Sequence, residues 1–309
     1  MGEVHIWDMI VVGGGPGGYT AALYAARAGL DTLVLEKLSA GGQMALTEEI
    51  DNYPGFEDGI DGFTLAEKMQ RQAERFGARS EYAQVERMDL TADPKVLETS
   101  EDTFYGKTVV VATGANPREL GLSNEAALTG RGVAYCAACD GMRYKGKTVV
   151  VVGGGNSAAA DAMLLSRIAG KVILVHRRDT LRATKIYHQP LMQAENLEFR
   201  WNSTVTELLH QEKLTGVRLK DVYTGEETEV PCDGVFISVG RKPATELVAG
   251  QLELDRGGYI LADESTKTSL PGVYAVGDVR TKPLRQVVTA VADGAMAVHM
   301  AEEYLAGGK

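Results

Sequence analysis

Cysteine is scarce in this chain, with three among 309 residues. So few thiols exclude the small secreted domain stapled by disulfides, and a chain of this length can bury full cores without such staples. Long apolar runs are also missing. No stretch approaches the roughly 20 apolar residues of a membrane span, and the opening MGEVHIWDMIVVGGG has no basic segment leading into a long apolar one. A cytoplasmic protein with no membrane partner is therefore expected. Positive charge is in deficit too: a formal charge of −10 gives the long-range field the wrong sign for nucleic acid or an anionic membrane surface. Any phosphate that binds must be met by local groups.

The composition is otherwise that of a globular protein, 44% hydrophobic and 24% charged, with 36 glycines that imply many close backbone approaches. The length fits two domains. Two of the three cysteines stand together in Cys136-Ala137-Ala138-Cys139, followed at once by Asp140. Thiols two residues apart can close a small ring if the backbone makes one helical turn, and free N–H groups at a helix start favour the thiolate that exchange chemistry needs. A zinc site competes with this reading. Zinc takes four ligands, however, and none of the five histidines lies near the pair. Cys232 stands alone and reads as a structural thiol.

The glycines are placed as tellingly as the cysteines. Asp8-Met9-Ile10-Val11-Val12 runs into Gly13-Gly14-Gly15-Pro16-Gly17-Gly18, then an alanine-rich helical stretch from Tyr19 to Ala28, then an apolar run from Thr32 to Leu35 that ends at Glu36. Gly13, Gly15 and Gly18 fit G-x-G-x-x-G: the first allows the turn, the second lets backbone approach a pyrophosphate, and the third lets helix and strand pack closely. Glu36 is then set to accept from ribose hydroxyls. The pattern recurs, with Lys147 to Val152 leading into Gly153-Gly154-Gly155-Asn156-Ser157-Ala158, a second Ala/Leu-rich helix, and a strand from Val172 to Val175. Where the first copy has Glu36, the second has His176-Arg177-Arg178, with Arg182 following. A carboxylate there would repel a 2′-phosphate, whereas guanidinium groups bind one in bidentate fashion. The second copy should therefore prefer NADPH, and the first a nucleotide with a free ribose.

Further short strands are expected at 108–111, ending in Gly114, at 235–239, and at 273–276, running into Gly277-Asp278; a last helix is expected over Gln286 to Leu305. The final strand and helix are too short to make a core of their own and should return to the first domain. The fold class expected is α/β, with two Rossmann-like dinucleotide-binding domains, the second inserted into the first. The crossings should lie near 117 and 245, where Pro117 and Pro243 break regular structure. Residues 1–117 with 246–309 form one domain on this reading, and 118–245 the other.

In this order, GGGPGG, GGQM with DNYPG, ATGA, CAACDG, GGGNSA, HRRDTLRA and YAVGD with RQVVTAVADG resemble the low-molecular-weight thioredoxin reductases of bacteria. The resemblance covers nearly the whole chain. It implies FAD at Gly13, Gly15, Pro16 and Glu36, with Gly42, Gln43, Asn52 and Gly114, and with Gly277, Asp278, Arg285, Gln286 and Val287. It implies NADPH at Gly155, Asn156, Ser157, His176, Arg177, Arg178 and Arg182. Electrons would pass from NADPH through FAD to a Cys136–Cys139 disulfide and on to thioredoxin. Cys139 would face the flavin, Cys136 would attack the substrate, and Asp140 would carry the proton, although the position of Asp140 also suits a cap on the turn. Rotation of the NADPH domain and a homodimer are implied in the same way. Ser157 stands where threonine is frequent, and Ala-Ala where Ala-Thr is common. A flavin dithiol oxidase and a nucleotide-sensing module are the competing readings; the arginines argue against the first and the Cys-Asp adjacency against the second.

Overall fold

A computed structural model of the chain describes residues 4–47 and 49–307. The two ends of the expected first domain, 1–3 and 308–309, lie outside the described residues, as does residue 48. Packing divides the chain into two units, Met1–Asn116 with Lys242–Lys309, and Pro117–Arg241. Residues just after the second crossing bond within the first unit: Ala244 N–H donates to the Gly114 carbonyl at 3.0 Å and the Thr113 hydroxyl to the Ala244 carbonyl at 2.7 Å.

The first unit begins with β1 (Ile6–Val12), α1 (Pro16–Arg27), β2 (Thr32–Glu36), α2 (Gly62–Arg75), β3 (Arg79–Tyr82), β4 (Val85–Asp89), β5 (Lys95–Thr99), β6 (Thr103–Val111) and β7 (Ala115–Pro117). The second carries α3 (Glu125–Leu128), β8 (Val133–Ala134), α4 (Ala137–Asp140), β9 (Thr148–Val152), α5 (Asn156–Ser166), β10 (Lys171–Val175), α6 (His188–Gln193), β11 (Leu197–Arg200), β12 (Ser203–His210), β13 (Leu214–Asp221), β14 (Glu227–Pro231) and β15 (Gly234–Ile237). After β16 (Arg241–Pro243) the chain completes the first unit with β17 (Val273–Ala275) and α7 (Val287–Leu305).

Each unit's main sheet contains a run of parallel strands built in the same order, β3-β2-β1-β6 in the first, where β5 and β4 continue it antiparallel, and β11-β10-β9-β15 in the second. This is the dinucleotide-binding arrangement, and it explains why the strands read as unbroken apolar runs. In β1, Met9 and Val11 enter one core and Ile10 and Val12 the other. In β9, Val149 and Val151 pack against α5, while Val150 and Val152 pack beneath the antiparallel sheet β12-β13-β14. Both faces are covered, so neither can be polar.

The last elements close the first unit. β17 pairs in parallel with β6, Val273 opposite Val109, and α7 lies on α1. A Cβ on Gly294 of α7 would collide with the Gly17 carbonyl of α1, which is why two small residues meet there. Pro117 and Pro243 do not break regular structure as expected. Each ends a three-residue strand, and β7 and β16 pair with one another as a two-stranded ladder. A proline at a strand end removes no bond that the ladder needs.

Candidate active site

Cys136 and Cys139 form a disulfide, with their Cα atoms 5.3 Å apart. The local sequence makes this possible through one short turn. Cys136 is extended and caps α4, and its carbonyl accepts from the N–H groups of Cys139 and Asp140 at 3.2 and 3.0 Å. Ala137 is buried, fastening the turn to the core, while both cysteines stay half-buried. α4 is only four residues long. Its backbone dipole is correspondingly small. Asp140 ends the turn and makes no side-chain cap bond to the following 3-10 turn. Cys232 is buried and free, and burial, then the neighbouring Asp233 charge, push its thiol up to about 12. Such a thiol holds almost no thiolate, as expected of a structural cysteine.

The two glycine turns are built alike. A Cβ on Gly13 would lie 2.5 Å from the Ala112 carbonyl oxygen, and one on Gly153 2.5 Å from that of Ser238. These glycines let the turn press on the neighbouring strand. At Gly15 and Gly155, by contrast, a Cβ would meet nothing within 4 Å. Each of these caps a helix, α1 or α5, without a side-chain cap bond, so first-turn N–H groups of two long helices point at an open cradle.

Around the first turn the structure gathers most of the residues singled out above. Gly41 N–H donates to the Gly14 carbonyl at 2.7 Å, which brings the 3-10 turn Gly42–Leu46 alongside, and a Cβ on Gly42 would lie 4.0 Å from Gly15 Cα. Gln43 donates to the Asn116 side chain at 3.0 Å, and Asn52 to Gln286 Oε1 at 3.1 Å. Gln286 in turn caps α7 through a capping box with Thr289, so Val287 opens that helix. Arg285 Nε donates to the Asp278 carbonyl at 3.4 Å, and its guanidinium stacks on Tyr259 at 4.0 Å. Glu36 accepts from Gly14 N–H and, at 2.8 Å, from Lys37 N–H. Pro16 takes the first helical position of α1. Gly114 stands apart, at the crossing ladder, with φ +72°.

At the second turn, Arg182 and Ala183 N–H groups donate to the Gly154 carbonyl at 2.7 and 3.1 Å, and Thr184 N–H to Asn156 Oδ1 at 2.8 Å. These bonds lay the arginine loop over the turn, with Leu181 and Ala183 buried and Arg177, Arg178 and Arg182 exposed. Ser157 lies in the first turn of α5 and is exposed. His176 differs from its arginine neighbours. It is 4% exposed, its ring occupies the space a Gly154 Cβ would need, and its Nε2 has no hydrogen-bond partner. It underpins the turn as Glu36 does in the first copy, and it offers no open charge.

Residues 7–294 match the pyridine nucleotide-disulphide oxidoreductase family. The chain belongs to that family. Among its relatives within the family are thioredoxin reductases: that of Streptomyces clavuligerus is 48% identical, over 97% of this chain and 94% of its own, and that of Listeria monocytogenes 45%, over 98% and 95%. The crystal structure of thioredoxin reductase from Streptococcus pyogenes superposes with a TM-score of 0.91 at 42% identity, covering 99% of this chain and all of that one.

One residue of the RQVVTAVADG stretch was given no role above. Asp293, on α7, is buried with Arg280 and Lys282; it accepts from Arg280 at 2.7 and 3.0 Å, from Lys282 at 2.7 Å, and from Gly277 N–H at 2.8 Å. It thereby fixes the Gly277-Asp278 turn. Its signal was in the periodicity: Asp293 falls in the buried series Ala290, Gly294, Ala297, Ala301, where an acid is out of place unless paired.

His176 gives this oxidoreductase a pH dependence. Burial, then the charges of Arg182, Arg178 and Arg177, lower its pKa from the usual 6.5, so the folded imidazole refuses a proton that the unfolded one accepts. Stability is expected to fall as pH drops below about 6.5 toward the folded value. Urea titrations at successive pH values check this, and His176→Asn should flatten the slope. An unchanged slope in the variant would show that another group carries it.

Proposed function

We propose that the protein is an NADPH-dependent thioredoxin-disulfide reductase that holds FAD at the first glycine turn and NADPH at the second. The observation that carries this reading is the formed Cys136–Cys139 disulfide, set in the same unit as an arginine-flanked glycine turn. The open cradles at Gly15 and Gly155 fit two pyrophosphates, and Glu36 and the arginines fit a free ribose and a 2′-phosphate respectively. Bound FAD supplies a centre that accepts a hydride and returns two electrons to a disulfide.

The remaining chemistry belongs to the chain. Two electrons and two protons open the Cys136–Cys139 bond to a pair of thiols. Cys136, as thiolate, attacks one sulfur of the oxidised thioredoxin and displaces the other as a thiolate, which takes up a proton. Cys139 then attacks Cys136, the mixed disulfide breaks, and the second substrate thiol leaves as the ring re-forms. Asp140, adjacent to Cys139, receives and returns the proton at that sulfur. We propose also that the protein is a cytoplasmic homodimer, as the family resemblance implies.

Anaerobic NADPH oxidation in the presence of thioredoxin tests the reading, and an absence of thioredoxin-dependent oxidation would overturn it. Substituting Arg177 and Arg182 by alanine is expected to lower the NADPH-to-NADH preference in kcat/KM on the order of 100-fold, since each charge-assisted phosphate contact is worth about 1.5–3 kcal/mol. Equal loss with both cofactors would show that the arginines serve the fold alone. We infer also that the ladder of β7 and β16 is a hinge about which the second unit turns during the cycle. Crosslinking the units should stop NADPH turnover and leave FAD bound; normal turnover of the crosslinked protein would refute the hinge.

A further inference from the structure

Tyr135, the residue before Cys136, donates its hydroxyl to Glu125 Oε1 at 2.8 Å. Glu125 is 3% exposed, and the same carboxylate accepts Leu120 N–H on Oε1 at 2.9 Å and Leu122 N–H on Oε2 at 3.1 Å. A buried carboxylate that accepts three donors is held firmly in place. The amide of glutamine could not replace it. With one oxygen it would either lose the Leu122 bond or lose both others, and its NH2 would face a donor.

The position of this bond in the chain gives it a second consequence. Ala134 is held in β8, paired in parallel with Phe236, and Cys136 caps α4. Tyr135 is the single residue between the sheet and the Cys136 cap, and its side chain is tied to Glu125 at the start of α3. Burial, then the hydrogen bond and charge of Glu125, push its hydroxyl above the ordinary tyrosine value, so it remains a donor throughout the working pH range. Cys139 lies within the α4 turn, which Cys136 caps.

We propose that the Tyr135–Glu125 hydrogen bond is a positioning clamp for the redox pair, which keeps the Cys136 half in its ring-closing place when the disulfide is open. This rests on the reading of Cys136–Cys139 as an exchanging disulfide. A ring closes more readily when its ends are already placed, because the open form then has less freedom to lose. The clamp therefore favours the disulfide, and its removal favours the dithiol.

The test uses the full-length holoenzyme, equilibrated in glutathione buffers of graded ratio, then alkylated and analysed by mass spectrometry for the peptide containing Cys136 and Cys139. Tyr135→Phe, which removes only the hydroxyl, is expected to shift the equilibrium three- to tenfold toward the dithiol, about 14–30 mV for a two-electron couple. Glu125→Gln should shift it the same way, and the double variant should shift it no further than the larger single effect. KM for NADPH should be unchanged. A potential within twofold of wild type in both single variants overturns the clamp, including the case in which both variants melt lower, since that is a purely structural role. A wild-type pair that these buffers cannot reduce overturns the exchange reading instead.

Discussion

Cys136→Ser and Cys139→Ser are each expected to lower thioredoxin-dependent NADPH oxidation at least about 10³-fold, because intramolecular ring closure, with effective molarities of roughly 10⁵–10⁸ M, is lost with either sulfur. The two variants should fail differently. Serine oxygen neither attacks nor leaves at neutral pH as a thiolate does, so Cys136→Ser cannot engage the substrate at all. Cys139→Ser keeps the attacking sulfur and lacks the resolving one, and it should accumulate a mixed disulfide with thioredoxin that is visible on a non-reducing gel. FAD content should be unchanged in both, since Cys136 and Cys139 lie in the second unit and the first glycine turn in the other. Near-normal turnover in either variant would mean that the disulfide is not the route to substrate.

The second large effect concerns Asp293. Asp293→Ala leaves Arg280 and Lys282 buried without their counter-charge, their side chains being 6% and 4% exposed. Breaking a buried pair by removing one partner costs about 3–5 kcal/mol, and at roughly 2–4 °C per kcal/mol the melting temperature is expected to fall by about 10 °C. On the proposed FAD site, loss of the Gly277 N–H acceptor should also loosen the flavin, which release of flavin fluorescence on heating would report. The sign of the pH dependence follows from the carboxyl. Burial alone would raise its pKa, but the hydrogen bonds from Arg280 and Lys282 hold it below the usual carboxylate range. Its contribution is therefore present above the unfolded value of about 3.9 and is lost as pH falls through the folded one. Thermal melts of wild type and variant should converge at that acid end. A difference below 2 °C at pH 7 would show that the two cations find other partners.

The fold was legible in the sequence where one physical demand fixes one pattern. Strands covered on both faces must be apolar throughout, hence the runs at Met9–Val12 and Val149–Val152; a turn that presses on a neighbouring strand must be glycine at Gly13 and Gly153, and the following Gly15 and Gly155 leave the helix start open. The register that equates Glu36 with His176 also has a counterpart in space, since each leans on the middle glycine of its turn. What that register could not convey was side-chain direction, so His176 read as part of an open cationic site when its ring is turned inward. Asp293 stood inside a quoted motif, but its pairing was not legible, because its partners Arg280 and Lys282 lie more than ten residues away and meet it only in the fold. Tyr135 and Glu125 were hidden because a hydroxyl on a linking residue and a carboxylate on a four-residue helix carry no periodicity. The prolines misled because a ring that ends a strand and one that breaks it look the same in one dimension.

The ladder of β7 and β16 has a further implication. Arg118 N–H donates to the Gly240 carbonyl at 3.0 Å, and Ala244 N–H to the Gly114 carbonyl at 3.0 Å, so the points where the chain leaves the first unit and returns to it are neighbours, about one strand spacing of 4.8 Å apart. The intervening segment is thus a cassette with adjoining ends. A genetic insertion at a single surface hairpin would suffice to install it, and excising it leaves a gap that two turn residues can bridge.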